Sequence, residues 1–153
     1  MTISELSERN INDALSLYKL TTKDYLEKTP RGEWSDEEIC QMLLDGTTDG
    51  DVTYMFSDKG VFLSMVTIAK AKAEIMNLHI NFDLIDNYFP NRFLEFIIKQ
   101  YSAISRVFVW VCSIDTKLCE VLEDYGFEYT GEQQYLNKES NVLRFRYVFK
   151  RKK

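Results

Sequence analysis

Residues 52–80 constrain this 153-residue chain more than any other stretch. Val52–Phe56 reads as a strand, and Asp58-Lys59-Gly60 supplies a hairpin turn with glycine where a positive φ is required. Val61–Ala69 reads as the returning strand. After a short turn near Ala71, Ala73–Ile80 reads as a further strand. Three strands therefore follow one another before any crossover helix. A doubly wound parallel sheet alternates strand and helix, so this order excludes a Rossmann arrangement.

The flanking sequence supplies the layers. Ile3–Leu6 is a candidate first strand. Ile11, Leu15, Tyr18, Thr22 and Tyr25 recur at three- and four-residue spacing, which marks one helix face, interrupted by Pro30 and Gly32. Ser35-Asp36-Glu37-Glu38 is a capping box, and the helix it starts turns Ile39, Met42 and Leu43 inward before stopping at Gly46. A polar turn follows over 47–50. Beyond the three strands, 81–91 is irregular. A helix then shows Phe93, Phe96, Ile97 and Tyr101 on one face. Arg106–Cys112 is a β-branched apolar run that suits a central strand buried on both faces. Leu118, Val121, Leu122 and Tyr125 form another helical stripe, ended by Gly126. Phe127–Thr130 and Val142–Phe149 read as the closing strands. The expected fold class is α/β: one domain over 1–153, with a mixed, mostly antiparallel sheet of about six or seven strands and about four helices.

Charge and cysteine usage narrow the partners. A net charge of −5 argues against nucleic acid and mildly favours a cationic amine. Cys40, Cys112 and Cys119 are odd in number and lack a CxxC pair, which predicts a reduced, cytoplasmic protein without disulfides. One histidine and scattered thiols predict no metal site. No basic-then-apolar leader opens the sequence, and the run 107–112 is too short to span a membrane. The basic run 150–153 reads as a solvated end, and the edge expected at the last strand allows a homodimer.

Two stretches carry a resemblance. Ala73-Glu74-Ile75-Met76-Asn77-Leu78-His79-Ile80 resembles the fourth strand of the GNAT N-acetyltransferase superfamily. Leu118–Thr130, with Asp124-Tyr125-Gly126-Phe127, resembles the helix and strand that close that fold. The element order matches over nearly the whole chain. The resemblance implies an acetyl-CoA-dependent N-acetyltransferase that acts by direct transfer on a small amine or a protein amino group. It implies that acetyl-CoA lies between the fourth and fifth strands, with its pantetheine arm along Leu78, His79 and Ile80.

The family's Arg/Gln-x-x-Gly-x-Gly/Ala phosphate loop falls on Ile85-Asp86-Asn87-Tyr88-Phe89-Pro90, where no glycine stands. Asn91 and Arg92 are then the groups left to meet a phosphate at the following helix start. The departure leaves a second reading: a module of the same fold that binds another ligand or a protein partner without transfer.

The resemblance places a general base at Glu74, on the strand that carries a catalytic glutamate in the histone-acetyltransferase branch. The family's tyrosine acid falls on Leu122, which cannot donate a proton, so Tyr125 is the nearby candidate. The pantetheine-holding asparagine corresponds to Asp115, with Ser113 beside it. Any imidazole chemistry must use His79, whose neighbours Leu78 and Ile80 are expected on the opposite sheet face.

Overall fold

A computed structural model describes residues 1–47, 50–136 and 142–151 of the chain. Seven strands form one sheet: β1 (Thr2–Glu5), β2 (Val52–Asp58), β3 (Val61–Ala69), β4 (Glu74–Ile80), β5 (Arg106–Cys112), β6 (Glu128–Tyr135) and β7 (Leu143–Lys150). Their spatial order is β1-β2-β3-β4-β5-β7-β6. Every neighbouring pair is antiparallel except β4 with β5. Helices α1 (Ile11–Thr22), α2 (Asp36–Asp45), α3 (Phe89–Lys99) and α4 (Thr116–Tyr125) flank the sheet. The expected α/β class, element order and mostly antiparallel sheet are all present.

Local chemistry explains most boundaries. Lys59 and Gly60 both take positive φ, 52° and 80°, which gives the turn the twist that β2 and β3 require. Ser35 Oγ accepts the Glu38 N–H, and a Glu38 oxygen accepts the Ser35 N–H in return, so α2 starts with both halves of its capping box. The polar turn at 47–50 lies partly outside the described residues.

Helix α1 ends sooner than its pattern predicts. The Thr21 and Thr22 hydroxyls donate back to the Leu17 and Tyr18 carbonyls at 3.0 and 2.6 Å, a bonding habit that strains helix continuation. Two 3-10 turns, Leu26–Lys28 and Pro30–Glu33, then carry the chain across the sheet. Tyr25 thus lies beyond the helix whose stripe it continued.

The two sheet faces are covered differently. Ile75, Leu78, Ile80, Val107, Val109 and Val111 pack with α3 and α4, around Phe93, Ile97 and Leu122. Leu6, Met55 and Met65 pack on the other face with Ala14 and Leu17 of α1 and Ile39 and Leu43 of α2. That second layer ends near β4. On β5, Phe108 and Trp110 are only half-buried on the face away from α3, under Arg146 and Arg144. The strand expected to be buried on both faces is therefore helix-covered on one face and arginine-covered on the other.

The last strand is also placed differently from expectation. β7 lies between β5 and β6, paired along its length on both sides, and β1 and β6 are the edges. Pairing between copies through the last strand is thus closed off. β6 extends to Tyr135, past the expected Thr130, with a register break between Tyr129 and Gln133.

Candidate active site

The site begins with one irregular residue. Asn77 adopts φ 47°, and the β3–β4 register shifts between Met65 and Thr67. One extra residue in β4 breaks the strand's alternation, so Ile75 and Leu78 face the same core although they are three apart. The Asn77 side chain donates to Thr67 Oγ1 at 3.1 Å, and Thr67 meets Thr53 at 2.6 Å. That chain of polar contacts holds the bulge.

Next to the bulge, the parallel ladder stops. β4 and β5 are registered only at Glu74–Phe108 and Ile75–Val109, with the Phe108 N–H donated to the Ala73 carbonyl at 2.9 Å. From Met76 onward β4 has no registered partner on its β5 side. The strands diverge, and a cleft of about 790 Å³ opens between them. Met76 to His79 and Trp110 to Cys112 form its walls, α1 and the two 3-10 turns roof it, and Glu74, Arg31 and Arg144 also line it.

Tyr101 fixes the closed end. Its hydroxyl accepts the Ala69 N–H at 3.1 Å and donates to the Glu74 carbonyl. The Glu74 side chain remains half-buried, 3.9 Å from Arg146 Nη2.

His79 is buried in the roof-side wall, with Nδ1 2.9 Å from Thr21 Oγ1 and its ring edge-on to Tyr18 at 5.2 Å. Burial, aided by the positive charge of Arg31, pulls its pKa down from 6.5 to about 4, so the ring is neutral at pH 7. Asp115 lines the far wall at the start of α4, and burial raises its pKa while the Leu118 N–H opposes the rise. Tyr25 also lines the cleft, and its phenol is pushed up by burial and by Asp115.

Of the residues singled out in the sequence, Glu74, Leu78, His79 and Asp115 line this one cleft. Leu78 and His79 face opposite sides of the sheet, as expected. Ile80 is buried opposite Ser64, and Ser113 donates its N–H to the Leu143 carbonyl at 2.8 Å; neither lines the cleft. Tyr125 stands apart from it. Its ring packs against Phe127 and Phe149 at 6.2 and 5.7 Å, and Glu95 of α3 raises its pKa alongside burial. Leu122 is fully buried in the α3–α4 core.

Asn91 and Arg92 are exposed in the first turn of α3, which begins at Phe89, with Pro90 second. Asp86 Oδ1 accepts the N–H groups of Tyr88 and Phe89 at 2.9 and 2.8 Å. A carboxylate of the chain itself therefore fills the helix start. Tyr25, Arg31 and Arg144 also line the cleft, and no motif in the sequence marks them for it.

No family model and no curated protein matches the sequence. Solved structures match it in shape. A ribosomal-protein-alanine N-acetyltransferase from Brucella melitensis superposes with TM-score 0.72 at 14% identity, covering 98% of this chain and 99% of that one. An N-acetyltransferase from Staphylococcus aureus Mu50 gives 0.74 at 12% identity, with 97% of each chain covered. A spermidine N-acetyltransferase from Vibrio cholerae, in complex with CoA and spermine, gives 0.72 at 11% identity over 97% of this chain and 94% of that one. The chain therefore has the fold of the GNAT N-acetyltransferases.

Proposed function

We propose that the protein is an N-acyltransferase of the GNAT superfamily that moves an acetyl group from a thioester donor, acetyl-CoA, to an amine in the β4–β5 cleft. The observation that carries this reading is the ladder's stop after Ile75–Val109, which leaves the β4 backbone from Met76 to His79 unpaired on its β5 side, along a cleft with Glu74 at its closed end. An exposed strand edge is a ready partner for an amide-bearing chain such as pantetheine.

In this reading the acceptor amine attacks the thioester carbon, a C–N bond forms and the C–S bond breaks. The amine's proton passes to the Glu74 carboxylate, directly or through one water. The departing sulfur keeps the bonding electrons and takes its proton from water, because Tyr125 packs outside the cleft and Leu122 has none to give. Asp115 and Tyr25 line the cleft as well. Neutral His79 acts as a wall residue held by Thr21.

The acyl end of the donor suits the cleft. The pyrophosphate end does not suit the start of α3: Asp86 already takes two amides, Pro90 has no N–H, and the carboxylate repels phosphate. Asn91 and Arg92 remain as donors there, with Lys117, whose Nζ lies 5.9 Å from the Phe82 ring centre.

Two measurements test the proposal. Acetyl-CoA or acetyl-pantetheine binds saturably by calorimetry, and Glu74→Gln lowers turnover by roughly 10²-fold or more while donor binding persists. Normal turnover in that variant would remove Glu74 from the mechanism. The capped start of α3 favours one other reading, a cleft that binds a ligand or protein partner without transfer. Failure of both donors to bind at millimolar concentration would select it.

A further inference from the structure

The cleft contains two guanidinium groups, Arg31 and Arg144, that form no ion pair with another described residue. Arg144 of β7 lies over the Trp110 ring at 4.5 Å and donates from Nε and Nη2 to Gln134 Oε1. Stacking and a two-pronged hydrogen bond hold the plane of its guanidinium. Two of its five donors are spent in this way. Arg31, from the 3-10 turn Pro30–Glu33 in the roof, sits 5.7 Å from the Trp34 ring centre, with Nη1 3.4 Å from the Tyr18 hydroxyl.

Among the described residues neither guanidinium has a carboxylate within ion-pair distance. Arg146, two positions along the same strand, has two: Glu132 at 3.1 Å and Glu74 at 3.9 Å. The comparison within one strand is informative. The arginine over Phe108 is paired by the chain, and the arginine lining the cleft is left for something else.

The two unpaired charges also act on each other. Burial lowers the pKa of Arg144, Glu74 opposes that fall, and the charge of Arg31 adds to it. Arg31 likewise helps to keep His79 neutral. Like charges sharing a partly desolvated cleft are stabilised by an anion between them. Guanidinium groups, with their planar forks, are matched in shape by a carboxylate.

We infer that the acceptor carries a carboxylate as well as its amine: an α-amino acid or close analogue whose carboxylate meets Arg31 and Arg144 while its amine faces Glu74. The inference rests on the transferase reading above and narrows its acceptor. A polyamine would bring a second ammonium towards the two guanidiniums. The overall charge of −5 favours cations at long range, but within the cleft Arg31 and Arg144 give an anion a local partner.

The test compares acceptors in matched pairs with acetyl-pantetheine or acetyl-CoA as donor: each protein amino acid against its carboxamide, with spermidine as the polycation. The best amino acid is expected to exceed its carboxamide by roughly tenfold or more in kcat/KM, through KM. Arg31→Gln and Arg144→Gln each collapse that acid-over-amide ratio. Arg31 is exposed, so its substitution leaves the core intact. Carboxamides or spermidine used as well as the acids would overturn the inference while leaving the transferase reading standing.

If no acceptor is turned over, the transferase reading fails, and binding decides the inference separately. An amino acid that raises the melting temperature of the wild type but not of the two variants upholds the anion site. No shift with any amino acid at about 10 mM, far above ordinary site affinities, overturns it.

Discussion

The β4–β5 cleft and the start of α3 treat their polar groups in opposite ways. The cleft leaves bonding capacity unspent: the β4 backbone has no β5 partner beyond Ile75, and among the described residues Arg31 and Arg144 have no carboxylate within ion-pair distance. The turn before α3 spends its own, since Asp86 takes the N–H groups of Tyr88 and Phe89 and Pro90 has none to offer. In a folded chain nearly every buried polar group is satisfied. Unspent capacity in a concave place therefore marks where a ligand belongs, and satisfied capacity marks where it does not.

Three further experiments break or sharpen this contrast. The largest effect is expected from His79, the neutral member of the cleft wall. Its pKa is depressed when folded, so the unfolded chain binds the proton first as pH falls. The stability that depends on the neutral ring is fully present above pH 6.5 and is lost as pH drops towards 4. The loss reaches about 3 kcal/mol, and it is read as the difference in urea midpoints between wild type and His79→Gln across that range. Parallel pH curves for the two proteins would mean that the wall is not dry.

The second experiment attacks the bulge that opens the cleft. At φ 47°, Asn77→Gly keeps the backbone and loses only the bond to Thr67, whereas Asn77→Val also strains it. Valine is expected to be less stable than glycine there by about 1–2 kcal/mol in denaturant unfolding. Equal stabilities would show that β4 re-registers freely and that the cleft is not built in.

The third attacks the filled helix start. Asp86→Ala frees two amides and removes a negative charge. It costs about 1 kcal/mol of helix capping, and it raises the preference for acetyl-CoA over acetyl-pantetheine by roughly tenfold. An unchanged preference, measured by calorimetry with both donors, would mean that the cap is no obstacle to phosphate.

Much of this molecule was legible in local sequence. β3 and β5 run over the residues their patterns indicated, and the capping box at Ser35 forms in full. These features depend on neighbours in sequence. What was missed depends on distant partners. Strand alternation shows that β7 has two faces, but not that it inserts between β5 and β6. Pro30 and Gly32 looked like the end of α1, but the threonines at 21 and 22 end it earlier by bonding backwards. The stripe from Leu118 to Tyr125 correctly predicted a helix. It could not show that Tyr125 packs against Phe149, a contact made only when β7 arrives. Asp86 stands in the stretch without glycines, and its hold on the Tyr88 and Phe89 amides depends on the turn geometry. Arg31 and Arg144 come from opposite ends of the chain, and only the fold brings both to one cleft.

The Tyr101 hydroxyl, which ties the end of β3 to the start of β4, grips Glu74 by its backbone carbonyl and leaves its side chain alone. The carboxylate's own tie to Arg146, at 3.9 Å and partly exposed, holds it only weakly. Place and chemistry are thus encoded by different residues. The side chain at position 74 is an interchangeable head on a fixed mount. A lineage, or an experimenter, can exchange it to change what the cleft does while the sheet beneath stays as it is.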